Sequence, residues 1–270
     1  MLIVIGLIIG IILGLTGAGG SVFAVPLLMV FLDLPAQDAM GLALAAVALS
    51  ASYGIIIRLR RRVFFVTPAL LLGATGVATA PVGKWVAAQT PEQVLEIIYA
   101  LLAVGLSIRM WRAASRQPES TRIVRASSTE EADDSPYLCR YSSSGHFELK
   151  PKCISGLLLF GLVVGFLSGF LGVGGGFLII PILLFLSEIP MQKAVGTSLL
   201  IIAPVSFSGF ISYWLLSPNL SLTQISLIVG GGVLGMTIGT RIAQKVAGPT
   251  LQRLFAASLV LLIGISVITS

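Results

Sequence analysis

The chain has 270 residues, 56% of them hydrophobic and only 10% charged, and its 17 basic and 11 acidic residues give a net charge of +6. A soluble domain carries about 25% charged residues, so a water-soluble globular fold is excluded, and a mean hydropathy of +1.01 points to a polytopic membrane protein. The apolar runs do not alternate as barrel strands do, so helices are expected to span the bilayer, and the positive charge reads as loop enrichment rather than nucleic-acid binding.

The N-terminus, "MLIVIGLIIGIILG", lacks a basic leader region and is read as structure rather than a signal peptide. Five apolar segments follow in the first half, at 2–15, 21–34, 38–57, 64–87 and 93–111. Residues 112–152 carry 7 basic and 6 acidic residues with much Ser, Thr and Pro. This stretch is expected to be a largely disordered cytoplasmic linker between transmembrane repeats at 1–111 and 153–270. It holds the lone histidine, His146, and one of two cysteines, Cys139; with Cys153 these have no metal-ligand spacing, and no disulfide is implied. The second half again has five segments, at 154–171, 177–187, 191–214, 222–240 and 250–269.

The halves repeat. Shifting the chain by 155 residues matches 12 of 35 positions without a gap, among them Gly10, Gly14, Gly17, Gly19, Gly20 and Pro26 against Gly165, Gly169, Gly172, Gly174, Gly175 and Pro181. Glycine and proline dominate the matches, so backbone geometry is what repeats. Fourteen residues of helix reach about 21 Å, short of the roughly 30 Å hydrocarbon core. Each glycine cluster therefore either turns two half-helices into a hairpin or breaks one long crossing. With the linker inside, the hairpin arrangement leaves only Lys84 of the 17 basic residues outside; the broken crossing places Lys84, Lys193, Arg241, Lys245 and Arg253 there. The positive-inside rule favours the hairpin and hence inverted repeats of five segments.

"GLTGAGGSVFAVP" (14–26) and "GFLGVGGGFLIIP" (169–181) are too glycine-dense for a helix face. Irregular backbone at membrane depth survives only inside protein or along a wet cavity. Helices starting just after the glycines, with Pro26 and Pro181 near their first turns, would present the amides of Gly17, Gly19, Gly20 and Ser21 and of Gly172, Gly174, Gly175 and Gly176 to a small anion. The spaced runs Gly6, Gly10, Gly14 and Gly161, Gly165, Gly169, like Gly231, Gly235, Gly239, read as helix contacts instead.

The stretch "GFLSGFLGVGGGFLIIPILLFLSEIPMQKAVGTSLL", with its counterpart at 10–44, resembles the signature of the sulfite exporter TauE/SafE family. The resemblance implies a multi-pass permease of the cytoplasmic membrane, acting on sulfite or a small organosulfonate, with alternating access, no catalysis and neither metal nor cofactor. It leaves oligomeric state open, a homodimer included. Thr197 and Ser198 stand where the first half has Leu42 and Ala43, so their hydroxyls either bond helix carbonyls or make the site asymmetric. No carboxylate lies mid-segment to relay protons. An anion channel using the same amides is the alternative function. A serine hydrolase lacks a membrane histidine, and a scaffold would not require two related glycine breaks.

Overall fold

The computed structural model describes residues 1–17, 20–32, 34–59, 64–91, 93–95, 97–98, 101, 104–105, 108, 140–141, 147–148, 151–186, 191–216 and 221–243. The last apolar segment (250–269), most of 93–111 and most of the linker lie outside these residues. In chain order the helices are α1 (Leu2–Thr16), α2 (Gly20–Leu32), α3 (Ala36–Leu59) and α4 (Val66–Gln89), then α5 (Pro151–Leu171), α6 (Gly176–Leu186), α7 (Met191–Leu216) and α8 (Leu222–Ile242). Inside the linker β1 (Arg140–Tyr141) pairs antiparallel with β2 (Phe147–Glu148).

Five of these helices are long and apolar enough to cross a membrane: α3, α4, α7, α8 and, within α5, Cys153–Leu171. The apolar composition also covers their outer faces. Leu70 is 65% exposed, Trp85 58%, Leu159 61% and Leu215 75%. Such a surface is a liability in water and costs nothing against lipid tails.

Within each half the chain doubles back at the glycine cluster. Gly20 packs against the backbone of Ile9 and Leu13, and Gly175 against Val164 and Ser168. Eleven residues of continuous helix would separate Gly20 from Ile9 by about 16 Å, so α1 and α2 cannot form one straight rod, and the same holds for α5 and α6. The two contact sets are related by the 155-residue shift, since Ile9 and Leu13 correspond to Val164 and Ser168.

The spaced glycines are seams, as their spacing predicts. Gly6, Gly10 and Gly14 of α1 meet Ile228, Gly232, Met236 and Thr240 of α8 in increasing order, so these helices run parallel. Gly161, Gly165 and Gly169 of α5 meet Leu72, Gly76 and Ala80 of α4 in the same sense. Small residues let the backbones touch, which is how helices associate without a hydrophobic drive between them. At the centre α3 and α7 run antiparallel: the Met40 sulfur lies 3.2 Å from the Tyr213 hydroxyl, Leu44 faces Gly209, and a methyl placed at Gly54 would lie 3.5 Å from Leu199. α3 and α7, which correspond under the 155-residue shift, thus run in opposite directions.

Two details depart from the sequence expectations. α2 begins at Gly20 and α6 at Gly176, so Pro26 lies within the second turn of α2 rather than its first. Cys153 is disulfide-bonded; Cys139 lies outside the described residues. The spacing gave no hint of this bond because sequence separation does not report distance.

Candidate functional site

The two glycine breaks are built alike and come together. Gly17 (φ 72°) and Gly172 (φ 67°), equivalent under the repeat, both adopt left-handed backbone. This conformation strongly favours glycine. Each closes the preceding helix: the Gly17 amide donates to the Leu13 carbonyl at 2.7 Å, and the Gly172 amide to the Ser168 carbonyl at 3.0 Å. Each then leans on the other half's long helix, Gly17 on Val195 and Gly172 on Met40. The second break continues through Gly174 (φ 69°) and Gly175 (φ 65°) before α6 starts at Gly176.

A methyl placed at Gly174 would lie 2.6 Å from Ser206 Oγ, 3.1 Å from Val47 Cγ1 and 3.7 Å from Ser21 Cβ. The start of α2, the break before α6 and the middles of α3 and α7 therefore meet at Gly174. Gly20, Ser21, Gly172, Gly174, Gly175 and Gly176 are all buried there. Gly19 lies outside the described residues. The first amides of a helix have no intrahelical acceptor, so the start of α6 aims donors and the positive end of its dipole at this junction. Ser21, Val22 and Phe23 at the start of α2 already have partners within the protein.

Two buried hydroxyls flank the second break. Ser206 Oγ faces Gly174, Ser168 lies beside Gly175, and neither has a hydrogen-bond partner among the described residues. A buried hydroxyl left without a partner costs about 1–3 kcal/mol, so a pair of them beside helix-end amides suits a polar guest. Leu13 and Ala51 occupy the equivalent places in the first half, so these two hydroxyls have no counterpart at those places.

Sequence reasoning missed Ser206, although a serine in the middle of "IIAPVSFSG" was a visible signal in an otherwise apolar helix. Lys84 stood out as the single basic residue outside, but its burial could not be read from the chain; it is fully buried in the fold.

Thr197 and Ser198 are buried but engaged with backbone. Thr197 Oγ1 donates to the Lys193 carbonyl at 2.8 Å and accepts the Phe65 amide at 3.0 Å. Ser198 Oγ donates to Gly17 O at 3.0 Å or Val195 O at 2.9 Å. Ser198 thus pins the first break to α7, and Thr197 pins the start of α4. Thr197→Val should leave the Phe65 amide without its acceptor, costing about 1–3 kcal/mol of stability. Thermal unfolding in detergent should show the loss, with the half-saturating anion concentration unchanged.

Among the described residues there is no group of three His, Cys, Asp or Glu side chains placed to hold a metal ion.

The sequence model of the family described as "Sulfite exporter TauE/SafE" matches residues 2–267. A "Probable membrane transporter protein" of Xylella fastidiosa is 26% identical over 242 residues, covering 88% of this chain and 84% of that protein. The "Probable membrane transporter protein YunE" of Bacillus subtilis is 24% identical over 272 residues, covering 97% of this chain and 94% of that protein. The similarly named MJ0441 of Methanocaldococcus jannaschii is 25% identical over 219 residues, covering 79% and 71%. No solved structure matches the chain.

Proposed function

The chain belongs to the sulfite exporter TauE/SafE family, and from that premise we propose that it is a secondary transporter of a small oxyanion, sulfite or an organosulfonate, held at the junction of its two glycine breaks. The family and its relatives make it a membrane transporter. One observation carries the finer statement: the glycine-lined start of α6 is flanked by two unpartnered buried hydroxyls, Ser206 beside Gly174 and Ser168 beside Gly175. Amides and hydroxyls are donors, so the junction suits an acceptor-rich guest. Glycine's missing side chain lets an oxyanion reach the backbone.

The antiparallel α3–α7 pair and the doubled-back helix pairs support inverted repeats around a midplane site, the arrangement that alternating access uses. Parallel repeats would set α3 and α7 side by side in one direction. Flux into proteoliposomes, comparing sulfite, thiosulfate, a sulfonate and a carboxylate, tests the assignment. Saturable flux of the first three without single-channel currents is the expected result. No flux of any of them would overturn it, and unitary currents would make the protein a channel.

The same reading orients the molecule with the linker inside, because 16 of the 17 basic residues then face the cytoplasm. The disulfide at Cys153 pulls the other way, since such bonds persist mainly outside the reducing cytoplasm. Sixteen basic residues on the outer face would be the larger violation. With both native cysteines replaced by serine, single cysteines at Gln89, Lys193 and Arg241 separate the cases. Labelling of intact cells should reach Gln89 alone. Labelling at both Gln89 and Lys193 would remove the inversion, and labelling at Lys193 and Arg241 alone would turn the molecule over.

A further inference from the structure

Lys84 is fully buried near the end of α4, yet its ammonium has no carboxylate within ion-pair distance among the described residues. Its Nζ donates to Gln37 Oε1 at 3.0 Å and stands 3.7 Å above the Tyr213 ring. Asp38, the next residue along α3, is half-buried and contributes attraction from a distance. The Tyr213 hydroxyl is itself placed between the Met40 sulfur (3.2 Å) and the Gly169 carbonyl (3.3 Å). Met40 is the residue against which Gly172 of the second break packs. The ammonium, the amide and the phenol therefore form one cluster at the rim of that break.

An ammonium has three donors. The neutral amide takes one and the ring face attracts the charge, and among the described residues the formal counter-charge is Asp38, beyond ion-pair distance. If Lys84 served only to hold α4 against α3 and α7, a methionine of similar length would do so without burying a charge. Charged groups inside a membrane bundle are costly and mark ion pathways. Ser206 and Tyr213 lie seven residues apart on α7, about 10 Å along the helix, so the cluster is one step from the junction rather than part of it.

We propose that Lys84, with Gln37 and Tyr213, is a second anion-binding station, at the end of the pathway formed by the start of α3 and the end of α7. The anion supplies there, before or after it occupies the junction, the contact counter-charge that none of the described residues provides. This rests on the oxyanion reading above and extends it to a second place.

Two variants test it in proteoliposomes with sulfite. Lys84→Met removes the charge, and Gln37→Glu keeps the lysine but gives it a permanent counter-ion. Both should raise the half-saturating sulfite concentration at least tenfold, with monodispersity retained, and Lys84→Arg should restore most of the loss. A purely structural Lys84 predicts the opposite for Gln37→Glu: normal affinity and equal or greater stability. Wild-type flux with unchanged half-saturation in Gln37→Glu and Lys84→Met would overturn this station and leave the oxyanion assignment standing. No anion flux in the wild type would overturn both. Lost affinity in these variants alongside normal flux in Gly174→Val would keep this station and remove the junction.

Discussion

Gly174→Val should abolish anion flux while the protein remains folded and monodisperse in detergent. Two effects combine at this position. The backbone is at φ 69°, where a β-branched residue costs on the order of 1–3 kcal/mol. The new side chain also presses on Ser206, Val47 and Ser21, where the anion is proposed to sit. The strain is affordable because the nearest atom is a serine hydroxyl, which can rotate. The blockage is not affordable, because the guest needs that volume. Loss of flux per folded molecule by at least a hundredfold is expected. Near-normal flux would leave the second break as packing alone.

Gly165→Ala should act in the opposite way, on stability rather than on chemistry. A methyl at this position meets the Gly76 carbonyl oxygen and Cα and the Thr79 hydroxyl oxygen. Most of these atoms are backbone and cannot step aside, so α4 and α5 must separate. Overpacking typically costs about 1–3 kcal/mol. Here the seam also carries the Thr79 hydroxyl, which donates either within α4 to the Thr75 carbonyl at 3.0 Å or across the seam to the Leu162 carbonyl at 3.1 Å. The expected result is a clear fall in thermal stability in detergent, with flux per surviving folded molecule near that of the wild type. A stable Gly165→Ala protein that fails to transport would make this seam a moving part of the mechanism.

The contrast between Gly165 and Gly174 was partly legible in the sequence. Spacing of four residues marked Gly161, Gly165 and Gly169 as one face of a helix, and that face is the one that meets α4. Density marked Gly172, Gly174, Gly175 and Gly176 as a place where no helix face exists, and three of these four have positive φ. The hydroxyls were harder. Thr197 and Ser198 stood inside the family motif, yet backbone carbonyls and the Phe65 amide occupy them. Ser206 stood outside every motif, yet it faces Gly174. A hydroxyl's role depends on which acceptor lies within 3 Å or so, and a neighbour 32 residues away, as Ser206 is from Gly174, leaves no mark in local pattern.

By itself, then, the sequence determined the solvent, the elements and the repeat. An apolar content of 56% leaves a bilayer as the environment, apolar length sets where helices run, and paired glycines and prolines announce that the backbone of one half is reused in the other. These are local or periodic properties, and each depends on residues close along the chain. Tertiary structure decided the rest. It brought Gly174 to Ser206 and Ser21, set α3 and α7 antiparallel, and buried the ammonium of Lys84 against Gln37 and Tyr213, residues 47 positions before it and 129 after. Those contacts follow from how helices dock across the two halves. Docking is settled by backbone approach at small residues and by where a buried charge can find partners, and neither can be counted along a single chain.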